Sequence, residues 1–353
     1  MCLSPWIWAV DVITPVDYPK WVLLPDGRGL VVGGNIGSKA CYFYDADLDT
    51  YTATTSCTTV QGICFPVLLP DGRVFAAGGD NGMNTYVAAA EVFNPVSATW
   101  TAVASMPTAA GHIKAVVLAD GSVLVSGGQV SSGNIFVALS QRYSLTTGLW
   151  TTATMNAPRA YHTMTKLDDG SVLVSGGYPG LSSAERYDPT TNTWTPVATM
   201  GYGRWNHCAV KLLDGRVLVM GDHGSFGATS EIYDPVANSW GSPATLARTR
   251  TEFTAELLFD GRVVVIGGYD PQCEIYDPGT GSWSLSQQLP VQRGLHGSLL
   301  FPNGRIAVVG GYDGSSQLLG TSAILGQLIT FAPLADAIVR VFIENGDRTN
   351  QDD

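Results

Sequence analysis

Residues 159–200 read RAYHTMTKLDDGSVLVSGGYPGLSSAERYDPTTNTWTPVATM. An apolar run meets Asp169-Gly170, and a second run ends at Gly176-Gly177. Tyr187-Asp188-Pro189 and Trp194 follow. The same order recurs along the chain. Asp-Gly or Asn-Gly appears at Asp26, Asp71, Asp120, Asp169, Asp214, Asp260 and Asn303. A Gly pair closes the following run in every copy except the fifth, where Gly221 is followed by Asp222. An aromatic residue stands 20 positions before each turn, or 19 in one copy: Trp6, Tyr51, Trp100, Trp150, Trp194, Trp240 and Trp283. Seven copies of two anchors at fixed spacing define a repeat protein.

Each unit reads as four short strands. Asp-Gly between apolar runs predicts a two-residue hairpin with a type I′ turn. Val172-Leu173-Val174 lacks polar alternation, which predicts a strand buried on both faces. A four-stranded sheet cannot bury two apolar faces alone, whereas seven stacked around an axis can. Trp6 lies as far before Asp26 as Trp194 does before Asp214, and no Trp follows the last Gly pair. The N-terminal strand is therefore expected to complete the seventh unit; the competing candidate is residues 328–333. The expected organisation is one domain over residues 1–328, then a tail over 329–353 that is partly disordered.

The Gly pairs, the Tyr-Asp-Pro turns beginning at Tyr187, Tyr233 and Tyr276, and the spaced Trp together resemble the kelch-repeat family. The resemblance covers about residues 5–326 and implies an all-β, seven-bladed kelch-type β-propeller of four-stranded antiparallel blades.

Composition narrows the function classes. The net charge is -11 and charged residues make up 14% of the chain, so a phosphate-backbone surface is not expected and nucleic acid is excluded as a partner. The few lysines are scattered, against an anionic membrane patch, and no apolar run is long enough to span a bilayer. Low lysine and low charge point weakly to a secreted or cell-surface protein, with the cytoplasm left open; a monomer is expected. Six cysteines make no disulfide scaffold, although Cys57 and Cys64 are close enough in sequence to bridge.

The strand order places the loops after the Gly pairs, and those entering each first strand, at one end of the propeller. That end carries Arg159, Tyr161, Arg204, Trp205, Asp222, His223, Arg250, Glu252, Tyr269, Asp270 and Arg293. Loops held by a rigid scaffold commonly carry recognition, so these residues form the candidate binding surface. Arg-x-x-His recurs at Arg159/His162, Arg204/His207 and Arg293/His296, with Phe253 in the matching place after Arg250. The kelch resemblance gives these arginines and histidines a structural reading. His112 is one position out of that register, and His223 belongs to no repeat position. Glu256 falls mid-strand where other units carry Val or Leu, and a partner in Lys211 of the preceding blade is expected.

No metal-ligand spacing, nucleophile motif or phosphate loop is present, and no cofactor is expected. Tyr161-His162 with His207 or His296 superficially fits part of a galactose oxidase-like copper site, but the sequence places no Cys–Tyr pair beside it and the histidines match the repeat pattern. The leading expectation is a recognition module for a protein, glycan or small ligand. The alternative is a small enzyme of isomerase or lyase type at the channel mouth.

Overall fold

The computed structural model describes residues 6–8, 16, 18–34, 39–58, 64–80, 85–131, 133–224, 226–241 and 244–325. The expected tail lies outside them, as does the competing closing strand. The described residues form seven antiparallel blades around one axis. Blade 4 shows the plan: Thr163–Lys166, Val172–Ser175, Ala184–Asp188 and Thr193–Pro196 pair in chain order. Each first strand touches the first strand of the next blade, and that of blade 7 touches that of blade 1. The first strands therefore line the central channel. Trp6–Trp8 pairs antiparallel with Ser322–Leu325, so the N-terminal strand completes blade 7 and closes the ring.

The hairpin turn differs from the expected type I′. In Leu24–Arg28 the Gly27 N–H donates to the Leu24 carbonyl at 3.0 Å, and the Leu24 N–H donates to Arg28 at 2.8 Å. Only Gly27 takes a positive φ, 88°, and Asp26 does not. This is a three-residue loop, a type I turn followed by a left-handed glycine. The Asp serves as an acceptor: Asp169 Oδ1 takes the Ser171 N–H at 3.0 Å.

Seven apolar wedges separate the blades. Third-strand aromatics pack at a tilt against the outer Trp of the same blade, with ring centroids 5.1 Å apart in Tyr187–Trp194 and Tyr233–Trp240. The indole N–H then reaches the preceding blade, as in Trp194 to Ser140 at 2.8 Å and Trp240 to Ala198 at 2.7 Å. Trp100, Trp150, Trp194, Trp240 and Trp283 thus each seal one wedge and pin two blades.

The Gly pairs join blades at the other end. A Cβ on Gly176 would lie 2.7 Å from the His207 ring and closer still to the Arg204 carbonyl. No side chain fits there. The next residue donates its N–H to that carbonyl, as in Gly177 to Arg204 at 2.9 Å and Gly128 to Arg159 at 2.8 Å. Gly311 donates to Val16 at 2.7 Å, so the same bond closes the ring.

Two expected contacts are corrected. Lys211 Nζ meets Asp168 of blade 4 at 2.5 Å, while Glu256 accepts a hydrogen bond from Ser298 of blade 7 at 2.5 Å. Residues three and four before the turn face opposite blades, so Lys211 looks back and Glu256 looks forward. Cys57 and Cys64 are free thiols. Cys57 Sγ lies 3.6 Å from Cys41 Sγ, because the segment after the outer strand folds back onto the third strand.

Candidate functional site at the channel mouth

The four arginines expected on the surface are fully buried. Arg159, Arg204 and Arg250 pair with Glu185, Glu231 and Glu274 on the third strand of their own blade, at 2.7–2.8 Å. They also donate to the carbonyls of Gly176, Gly221 and Gly267. Each glutamate accepts two further backbone N–H bonds from the loop entering its blade, such as Gly201 and Tyr202 to Glu231. Blade 3 replaces both charges together, with Ala110 and Gln141 at these places. Blade 7 keeps Arg293 but presents Ala323 opposite Val308, where blade 4 presents Glu185 opposite Val174. Burial lowers Arg293 to about 10. These arginines brace the blades and offer no group to a ligand.

Asp222, likewise buried, organises its loop. Its carboxylate accepts the Trp205 N–H at 3.0 Å and the Gly224 N–H at 2.7 Å. Asp270 accepts the Gln272 N–H at 2.8 Å. The Tyr269 ring covers Gly294, where a Cβ would fall 2.5 Å from it. Neither Tyr269 nor Asp270 lines the channel cavity.

What does line it comes from one repeat position. The residues eight before the turn are Tyr18, His112, Tyr161, Asn206, Glu252 and Leu295 in six of the blades. All six adopt left-handed backbone, with φ between 49° and 57°. Six non-glycine residues in this sparsely populated region are a departure that the surrounding structure must hold in place. It is held by a ring of backbone bonds: Asn206 N–H to Tyr161 at 3.0 Å, Leu295 to Glu252 at 2.9 Å and Tyr18 to Leu295 at 2.7 Å. All six side chains line an axial cavity of about 160 Å³. Directly beneath them lie Lys20, Phe65, Lys114, Cys208 and Thr254, six residues before their turns.

An aromatic belt runs across the mouth. The Tyr86 ring meets His112 edge-on at 6.1 Å, and His112 stacks on Tyr161 at 4.3 Å. Tyr161 meets Trp205 at 5.7 Å, and Trp205 meets His223 at 4.2 Å. Tyr178 adds a further edge contact to Trp205 at 5.1 Å. The polar end of the belt is Glu252. Asn206 donates to its Oε1 at 3.4 Å, and His223 Nδ1 lies 3.8 Å from the same oxygen and 3.0 Å from Thr251. Burial, reinforced by the charges of Lys20 and Lys114, lowers His112 to about 4, so its ring is neutral at physiological pH. Of the residues expected on the binding face, the structure brings Tyr161, Trp205, His223 and Glu252 together. Tyr18, His112, Asn206, Lys20 and Lys114 were missed, though counting back from each Asp-Gly turn finds them.

The fold and this axial site define a kelch-type β-propeller. The Kelch motif model matches residues 63–107 and 158–201, and the chain is a kelch-repeat protein. No curated protein matches it. Among solved structures, a fungal alcohol oxidase of the AA5 family in complex with copper is similar, with a TM-score of 0.70 and 18% identity. The alignment covers 92% of this chain and 76% of that one, and the likeness is one of fold. The residues here do not fit a copper centre. His162, His207 and His296 turn Nε2 to Ser126, Thr163 and Thr254 within the blade wedges. Among the described residues no three His, Cys, Asp or Glu side chains are placed to hold one metal ion.

Proposed function

We propose that this protein is a recognition module that binds a small hydroxylated molecule, such as a saccharide unit, at the channel mouth. The observation that carries this reading is the belt of Tyr161, Trp205 and His223 beside Glu252 and Asn206, of which Tyr161, Asn206 and Glu252 line the axial cavity. Aromatic faces pack against the C–H face of a sugar ring, while a carboxylate and an amide take its hydroxyls. A concave site with convergent polar groups beside aromatic faces suits a small polar ligand. Tyr161, Trp205, Asn206 and Glu252 sit in the bends that enter the first strands and His223 in the loop after Val217–Met220, and the backbone bonds tying these bends together hold the side chains at preset positions, which lowers the ordering cost of binding.

The test is a monosaccharide and oligosaccharide panel followed by the fluorescence of Trp205. A saturable change is expected, lost in Trp205→Ala and reduced at least tenfold in affinity in Glu252→Gln. Saturable binding that both variants retain would place the ligand elsewhere. The contact of His223 with Glu252 supports a second reading, an isomerase or lyase acting on the same ligand. Turnover of the bound sugar by the parent protein and not by His223→Asn would favour it.

A further inference from the structure

The chain carries a net charge of -11, yet its axial cavity is cationic. Lys20 of blade 1 and Lys114 of blade 3 occupy the same repeat position on either side of Phe65, and both line the cavity. Lys114 Nζ lies 4.9 Å from the centre of the Phe65 ring, and Lys20 Nζ lies 6.0 Å from that of Tyr18. Among the described residues neither ammonium group has a carboxylate partner. The thiols beside them do not supply one, because burial pushes Cys64 and Cys208 up to about 12 and keeps them neutral. Glu252 at the rim is engaged by Asn206 and His223, and Glu256 is held by Ser298.

Two half-buried ammonium groups sharing one cavity repel each other. Burial and the Lys114 charge lower Lys20 to about 8, so it still carries most of its charge at neutral pH. Such an arrangement costs stability unless an anion enters. The remaining lysines are Lys39, Lys166 and Lys211. Lys211 has a carboxylate partner in Asp168, and Lys39 donates to the Thr58 carbonyl. Lys166 does not line the cavity, so the channel pair is set apart by two ammonium groups sharing one enclosed space.

We infer that the ligand of the channel mouth is an organic anion whose carboxylate or phosphate seats against Lys20 and Lys114 while its hydroxylated body lies on Tyr161 and Trp205. This inference rests on the proposed binding role of the mouth and adds the charge of what it binds. Charge-assisted hydrogen bonds from two ammonium groups are strong in a site largely screened from water. The acidic exterior opposes the approach of an anion at long range, so any anionic preference must arise from the two lysines inside the cavity.

The full chain would be titrated with glucose, glucuronate and glucose 6-phosphate, which share a ring and differ in charge. The expected result is that at least one of the anionic sugars binds tenfold or more tightly than glucose. That advantage disappears in Lys20→Met and in Lys114→Met and is partly kept in Lys114→Arg. A preference for glucuronate identifies a carboxylate, and one for glucose 6-phosphate a phosphate. Inorganic phosphate alone is the second arm, read as the thermal midpoint at ionic strength matched with sodium chloride. A saturable rise in the parent protein, absent in Lys114→Met of native circular dichroism, supports the anion site even where no sugar binds. Equal affinities for all three sugars would overturn the inference while leaving the binding site intact. No phosphate-specific rise in the parent protein, together with no anionic preference, would also overturn it.

Discussion

Removing the Glu231 carboxylate tests whether the buried arginine ladder is held by charge matching. Glu231→Ala would leave the Arg204 guanidinium without its partner at 2.7 Å and strand the N–H groups of Gly201 and Tyr202. Breaking one side of a buried ion pair costs about 3–5 kcal/mol, and the two stranded donors place this variant at the upper end of that range. Blade 3 already contains the neutral alternative: Gln141 accepts the Thr108 N–H at 2.8 Å and returns a bond to the Thr108 carbonyl at 3.2 Å. The double variant Arg204→Ala with Glu231→Gln copies that solution into blade 5. It loses the bonds from Arg204 to Gly221 and Thr229 and leaves space where the guanidinium packed, a cost of about 2–3 kcal/mol. The double change is therefore expected to be less damaging than Glu231→Ala alone. Urea unfolding followed by tryptophan fluorescence gives the comparison, with both single variants completing the cycle. Additivity of the singles to within about 0.5 kcal/mol would refute the charge-matching account.

Other consequences are as specific. Arg293 faces Ala323 instead of a glutamate, so Arg293→Met should change stability by less than about 1 kcal/mol, while Arg159→Met should cost about 3–5 kcal/mol by stranding Glu185; urea midpoints separate the two. Gly176→Ala should cost at least about 3 kcal/mol because its Cβ would enter the His207 and Arg204 backbone contact, whereas Gly170→Ala meets nothing within 4 Å and should cost only the strain of its φ of 81°, about 1–2 kcal/mol. Burial raises the Glu256 carboxyl from its ordinary 4.5 to about 7. Its contribution is therefore fully present below about pH 4.5 and is lost as pH rises through 7. Glu256→Gln should remove that loss and gain about 2 kcal/mol over the parent between pH 5 and 8, after allowance for partial exposure. Parallel pH profiles for the two proteins in thermal unfolding would contradict this.

The sequence by itself determined the architecture. Asp-Gly turns, Gly pairs and Trp recur at spacings that only a blade satisfies, and the offset of Trp6 from Asp26 dictated how the ring closes. These signals are local, or repeat often enough to be read as local. The turn geometry was misread because an Asp-Gly pair suits both a type I′ loop and a type I turn followed by a left-handed glycine. Pro25 favours the second by presetting φ at the first turn position. The site was only partly legible. Arg159, Arg204, Arg250 and Arg293 stood among the candidate surface groups beside the structural reading that the kelch resemblance gave their positions, because their charge was visible while the burying contacts were not. Three of those contacts are carboxylates some 24–27 residues away on the third strand of the same blade. Lys20 and Lys114 looked scattered, yet closure of the ring brings blades 1 and 3 to one axis and both ammonium groups to one cavity. Periodicity fixes which positions are equivalent. Only the stacked blades decide which equivalent positions meet around the channel, because that meeting depends on side chains dozens of residues apart sharing one small, poorly solvated space.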